Sequence, residues 1–374
     1  MKSPSRSWII CFGAIIVAVG AALATGCASK HPSTPAPGSA TRTYRMGFSS
    51  FPPRPDFAVA LQNIQMWTMR ADAAIEHIEP PWDSLLAGAD PVRLIQNDKL
   101  SLVQYYRAHG LTVTIELDPT NGLDRASDAT LLRDRGHSIT EPAVQALFIA
   151  YALAVDSLLT PNSLGLASET NLVRAAAPDS FYRALVSLAQ HTADALAAAH
   201  VRHPRANLPV LYTSVQVETA WGRFGGSGSY QGISRDLADF PFGTVLGLSS
   251  YPYLGGFAEP EDLPADYFAR IAHEAGRPVM VVEGGWASAS RGTFTSSPAK
   301  QARDVRRMAS LLDAAGAIGW YQLDFADLQL SAYPPQPAGS ILPLFASLGL
   351  VDTTFTSKPA LAPWDSVYKR TRVN

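Results

Sequence analysis

Pro278-Val279-Met280-Val281-Val282-Glu283-Gly284-Gly285-Trp286 is the stretch that decides how this chain is read. An apolar, β-branched run follows a proline, stops on a carboxylate and is closed by two glycines, which let the backbone turn tightly beside that carboxylate. It reads as a buried strand that carries an acid to its C-terminal end.

Working outward, short β-type runs of this kind alternate with longer helical ones from Tyr44 onward, the pattern of a parallel sheet with crossover helices. The strands are expected at Tyr44–Ser49, Ala73–Glu79, Leu111–Asp118, Ser163–Glu169, Val210–Glu218, Val245–Tyr251, Val279–Glu283 and Ile318–Asp324. Helices are expected between them, among others at Glu141–Leu159, Ser180–Val201, Ala265–Ala275 and Ala299–Ala315. Gly110, Gly276 and Gly316 stand where left-handed helix caps belong. Eight such units predict an α/β fold, a (β/α)8 TIM barrel, over residues 44–374. A doubly wound open sheet is the rival, but no Gly-rich phosphate loop follows the first strand.

Strand parity predicts where the chemistry sits. In the third strand Val113, Ile115 and Leu117 face the helices, leaving Thr114, Glu116 and Asp118 inside. In the fourth, Leu164 and Leu166 face out, leaving Gly165, Ala167 and Glu169. In the fifth, Val215 and Val217 leave Ser214, Gln216 and Glu218. In the sixth, Leu246 and Leu248 leave Gly247, Ser249 and Tyr251. In the eighth, Trp320, Gln322 and Asp324 alternate with Tyr321, Leu323 and Phe325, and the polar set is expected inside. Polar groups thus gather at the strand C-termini, the end where barrel active sites are built.

Burying Asp118, Glu169, Glu218, Glu283 and Asp324 at one mouth costs free energy unless they are paired or used. Cleavage of a glycosidic bond uses such a pair: one carboxylic acid protonates the leaving oxygen, and one carboxylate attacks carbon or activates water. Trp286 offers a flat apolar face on which sugar C–H bonds pack.

Leu117-Asp118-Pro119-Thr120, Gly247-Leu248-Ser249-Ser250-Tyr251-Pro252 and Val282-Glu283-Gly284-Gly285-Trp286 together resemble the retaining (β/α)8 glycosidases with catalytic glutamates at strands four and seven. The chain looks most like the endo-β-1,4-galactanases. The resemblance implies Glu169 as general acid/base and Glu283 as nucleophile, with Tyr251 hydrogen-bonding the nucleophile and Asp118, Trp286 and Trp320 lining the sugar site. One position departs from the pattern. The clan usually has Asn before the acid/base to hold the sugar 2-hydroxyl; here it is Ser168, and Asn171 is the nearby substitute. Glu283 is expected to stay ionised with help from Tyr251. Glu169 is expected to hold its proton through burial and repulsion by Glu283. Retention predicts carboxyls about 5–5.5 Å apart.

Plainer readings stand beside these. Glu169 and Glu283 could form structural ion pairs with Arg174 or Arg223, and Glu218 is a rival acid. Asp118 and Asp324 are as readily bonded to loop amides as to sugar. Trp82, Trp221 and Tyr253 lie in loops after the second, fifth and sixth strands, as sugar platforms or loop packing; Trp67 reads as core. Asn121–Thr140 reads as a solvated loop over the mouth. His77 is the one histidine expected on a strand, as a satisfied residue behind the site.

The 374 residues carry a net charge of −2 and are 47% hydrophobic, which suits one large core and no nucleic-acid partner. Residues 1–27 read as a leader: Lys2 and Arg6, an apolar run from Trp8 to Leu23, then small residues. Leu23-Ala24-Thr25-Gly26-Cys27 resembles a bacterial lipoprotein signal, implying cleavage before Cys27 and lipidation of its thiol. An exported protein, lipid-anchored to the bacterial cell envelope at the outer membrane or cell surface, is the expectation. Residues 28–43 are rich in Pro, Ser and Thr and read as a flexible tether. Both cysteines, Cys11 and Cys27, fall in the leader, so the body has no disulfide. No histidine spacing suits a metal, no G-x-S-x-G occurs, no cofactor is expected and a monomer is expected. The alternative function is a carbohydrate-binding surface lipoprotein on a catalytically impaired glycosidase barrel.

Overall fold

A computed structural model describes residues 41–225, 228–335 and 339–373. The leader, Cys27 and most of the tether lie outside them. Eight strands close into a parallel barrel: β1 (Arg45–Ser49), β2 (Ala73–Ile78), β3 (Thr112–Leu117), β4 (Ser163–Gly165), β5 (Val210–Gln216), β6 (Val245–Ser250), β7 (Val279–Gly284) and β8 (Gly319–Gln322). β8 pairs with both β7 and β1, which shuts the ring. The fold is therefore the expected (β/α)8 barrel.

The helices follow their sequence signals. Pro142–Leu159, Asp179–Arg202 and Pro298–Ala315 begin and end within a residue of expectation. Ser297 caps the last of these, accepting from the Lys300 amide, with Pro298 at the first turn. Gly276 and Gly316 end their helices at φ of +59° each, the left-handed conformation that a side chain resists. The folded body starts slightly earlier than 44. Thr41–Arg42 pair with Thr371–Arg372, and the buried Arg42 meets Asp72 at 2.6 Å.

Two apolar layers hold the barrel. Val113, Ile115, Leu117, Leu164, Leu166, Leu246 and Leu248 face the helices as parity predicts. Inside the ring sit Ala73, Ile75, Tyr212, Val245, Met280, Val282 and Tyr321. The eighth strand runs opposite to the expected parity. Tyr321 points inward, its hydroxyl 2.7 Å from Thr114 Oγ1, while Trp320 points outward against Trp364 and Tyr44, at 4.8 and 6.0 Å between ring centres. An aromatic ring outside the small barrel fills the gap to the helices, so size overrode polarity.

β7 carries an irregularity that matters below. Met280 and Val282 both point inward, so strict alternation would send Glu283 out to the helices. Instead Val281 pairs with Leu248 and Glu283 with Ser249, leaving Val282 as an extra residue. This β-bulge turns Glu283 back into the barrel.

Candidate active site

Glu169 lies past the end of the three-residue β4, at the N-cap of the helix Thr170–Ala176. Its φ of +45° and ψ of +46° are left-handed. A non-glycine residue held there is strained by about 1–2 kcal/mol. Its amide donates to Ser214 Oγ on β5 at 3.0 Å, which pins the strained turn. Glu283 arrives from the opposite side on the bulge of β7, and the tight turn behind it needs its glycines. A Cβ on Gly284 would stand 2.5 Å from the Ser250 carbonyl, and Gly285 adopts φ of +143°.

The two glutamates meet on one hydroxyl. Ser249 Oγ, fully buried on β6, lies 2.6 Å from Glu169 Oε1 and 2.8 Å from Glu283 Oε1. The two oxygens can be no farther apart than those contacts laid end to end, about 5.4 Å. Glu169 Oε2 accepts from Arg125 Nε at 2.8 Å, and the same guanidinium bonds Asp118 and Thr120. On the far side His77 Nε2 stands 3.7 Å from Glu283 Oε2, too long for a hydrogen bond.

Burial raises the Glu283 carboxyl to about 8, with repulsion from Glu169 and Glu116 adding and Arg125 opposing. This runs against the expectation that Glu283 stays ionised. Tyr251 is not its partner either: among the described residues no hydrogen bond joins the two, and Ser249 occupies that role. Burial also lowers the His77 imidazole to about 4, so it is neutral near pH 7. Its ring stacks on Phe51 with 6.3 Å between centres. Glu116, in the barrel below, is raised by burial to about 7 and accepts from Ser214 at 3.1 Å and from Ser168.

The remaining sequence candidates separate. Asp118 stays at the mouth on Arg125, its side chain 14% exposed, as Glu283 is at 16%. Ser168 donates its hydroxyl to Glu116 in the barrel below. Asn171 uses both ends of its amide on the Gln216 backbone, at 2.9 and 2.7 Å, and ties the helix to β5. β5 ends at Gln216, so Glu218 falls on the turn Val217–Ala220 and leaves the inward row. There it is buried among Ser250, Tyr267 and Gln216. Asp324 lies beyond β8, fully buried, with neither oxygen hydrogen-bonded among the described residues, and burial raises it well above the carboxylate range.

Four of the expected sugar platforms are packing. Trp82 stacks on Phe148, Trp286 bonds Ser296 and touches Tyr253, and Trp320 faces outward; all three are at most 2% exposed. Tyr253 donates to the Leu344 carbonyl at 3.1 Å. Trp221 is half-buried, stacked on Tyr267. Phe51 is 42% exposed beside His77, and its lone position in a proline loop gave no signal. Arg125 was equally hidden: in sequence it is one charge of many in Asn121–Thr140, yet its loop carries it into the site. Arg174 and Arg223, the cations considered for the glutamates, pair instead with Asp236 and with the Phe257 ring. Among the described residues no cluster suits a metal ion.

Fold and site together define a closed (β/α)8 barrel with two hydroxyl-bridged carboxylates at the ends of β4 and β7. The same fold occurs in an exo-β-1,4-mannosidase, Op5Man5 from Opitutaceae bacterium strain TAV5 (TM-score 0.59, 16% identity over 89% of this chain). It occurs in a β-D-glucuronidase from Dictyoglomus thermophilum (TM-score 0.57, 11% identity, 89% of this chain). It also occurs in fungal β-1,4-galactanases (TM-score 0.55, 15% identity, 83% of this chain and 91% of theirs). The chain spans 61% of the mannosidase's length and 51% of the glucuronidase's. No protein-family model matches the chain, and no curated protein matches it in sequence.

Proposed function

We propose that this protein is a retaining glycoside hydrolase acting on a β-linked oligo- or polysaccharide, with Glu169 as general acid/base and Glu283 as nucleophile. The observation that carries the reading is the shared hydroxyl: it keeps the two carboxyl oxygens within about 5.4 Å. That suits direct attack on the anomeric carbon and leaves too little room for the interposed water of inversion, which needs about 6.5–9.5 Å. Glu283 attacks the anomeric carbon as Glu169 protonates the leaving oxygen. Glu169 then takes a proton from the water that releases the sugar from its ester with Glu283. The barrel's likeness to a mannosidase, a glucuronidase and galactanases supports the β-glycan class.

One observation favours a second reading, a carbohydrate-binding barrel with little turnover. Ser168, where a ligand contact is expected, is committed to Glu116. In either reading the lipoprotein-like Cys27 supports export and a lipid anchor in the cell envelope. A panel of aryl β-glycosides and β-glycans separates the two. Wild type should release reducing sugar with retained anomeric configuration, and Glu169→Gln or Glu283→Gln should lose about 10²–10⁴-fold in kcat. Binding without any release supports the second reading, and full activity in either variant sinks the first.

A further inference from the structure

We propose that Ser249 is a proton relay between Glu283 and Glu169, converting a resting pair into the reactive one; this rests on the retaining reading above. A serine hydroxyl has one proton to give. Ser249 Oγ lies 2.6 Å from one carboxyl oxygen and 2.8 Å from the other. It can donate to one of them; the other contact must then be donated to it, by a protonated carboxyl. The geometry therefore holds one proton for two acids, the arrangement that two close carboxylates adopt in a buried site.

The surroundings decide where that proton rests. Arg125 reaches Glu169 Oε2 at 2.8 Å, together with Asp118, so the cation sits on the β4 side. On the β7 side the facing groups are neutral His77, the Tyr251 hydroxyl beyond the end of β6, the Tyr212 hydroxyl from β5 and the buried Glu116 below, with Arg125 acting only from its place on Glu169. None of those facing groups offers Glu283 a fixed positive charge. The resting proton belongs on Glu283, while catalysis needs it on Glu169.

Ser249 makes the exchange without bulk water. The proton on Glu283 Oε1 passes to Ser249 Oγ as the Ser249 proton passes to Glu169 Oε1. Two O–H bonds break, two form, and no charge leaves the site. Glu283 becomes the anion that attacks; Glu169 becomes the acid that protonates the leaving oxygen. Arg125 keeps Asp118 as its counter-charge throughout.

The test uses Ser249→Ala, Ser249→Thr and, should Ser249→Ala not fold, Ser249→Cys. The relay predicts that Ser249→Ala loses about a hundredfold in kcat/KM. Because the shared proton is no longer held by a bridge, the two limbs of its pH profile should also draw together, and Ser249→Thr should restore both. A merely structural role would lower the profile without moving its limbs, and that result overturns the relay. A second readout needs no turnover. Among the protonated-carboxyl infrared bands at pH 7, which buried Asp324 and Glu116 also feed, one should be removed by Glu283→Gln, shifted by Ser249→Ala and left in place by Ser249→Thr. If wild type hydrolyses no glycoside, the functional reading fails, and this band still decides whether the pair shares a proton through Ser249. A band that Ser249→Ala leaves unmoved rejects the relay on its own.

Discussion

β4 and β7 deliver their glutamates by opposite devices. β4 stops after three residues, and the chain reaches Glu169 through three irregular positions and a left-handed backbone. β7 runs for six residues and corrects its own parity with one extra residue, Val282. On paper both are apolar strands ending on Glu. In space one acid is placed by a strained cap and the other by a slipped register. Two unlike backbones converge on one hydroxyl, so the distance between the acids is set by Ser249 and not by either strand alone.

The sharpest way to break that convergence is to remove the charge that belongs to one side only. Arg125 is buried with Glu169 and Asp118, and among the described residues no Lys or Arg pairs with Glu283. Arg125→Met should strand two carboxylates, one of them nearly buried, and cost about 3 kcal/mol in denaturant unfolding, as for a broken buried pair. It should also remove the asymmetry between the two rims. An unchanged unfolding midpoint would mean that Arg125 is a spectator.

The bulge offers a subtler cut. Deleting Val282 joins Val281 directly to Glu283, which restores regular alternation and still leaves Glu283 opposite Ser249. Activity should survive within about tenfold while stability falls by about 1–3 kcal/mol for the lost inward valine. Complete inactivation of a folded deletion variant would show that the bulge itself aims the carboxylate.

The same contrast explains what could be read in advance. The eight strands, the glycine caps and the outward rows of β3, β4 and β6 follow from period-2 alternation and turn residues, which are local properties. Glu169 and Glu283 were legible because each ends an apolar run. Three things were not legible. Arg125 enters from a loop whose path depends on tertiary packing. Trp320 and Tyr321 exchanged faces because two large rings compete for the same narrow interior. Trp82 and Trp286 looked like platforms because sequence does not say whether an indole at a strand end meets solvent or a neighbouring loop.

Acidity gives a further test of the β7 side. The Glu283 carboxyl is raised from 4.5 to about 8 in the folded chain. Folding therefore binds a proton there that the unfolded chain releases. The stability this contributes is complete below about pH 4.5 and is lost as pH rises through about 8. Glu283→Gln cannot titrate, so its Tm relative to wild type should climb steadily across that window. A difference that stays flat with pH would place the shared proton elsewhere.

The smallest expected effect lies at Phe51, and it asks whether the β7 side also carries the sugar. Phe51 is exposed, stacked on neutral His77, and His77 faces Glu283. With Trp286 and Trp320 buried, this ring is an exposed flat apolar surface on the His77 side of Glu283, where a sugar could stack. Aromatic contact of this kind is worth about 1 kcal/mol, so Phe51→Ala should raise KM about fivefold and leave kcat nearly unchanged. Phe51→Trp should hold or lower KM. Equal loss of kcat in Phe51→Ala would mean that the ring orients His77 and does not bind sugar, which would move the platform to the β4 side of the cleft.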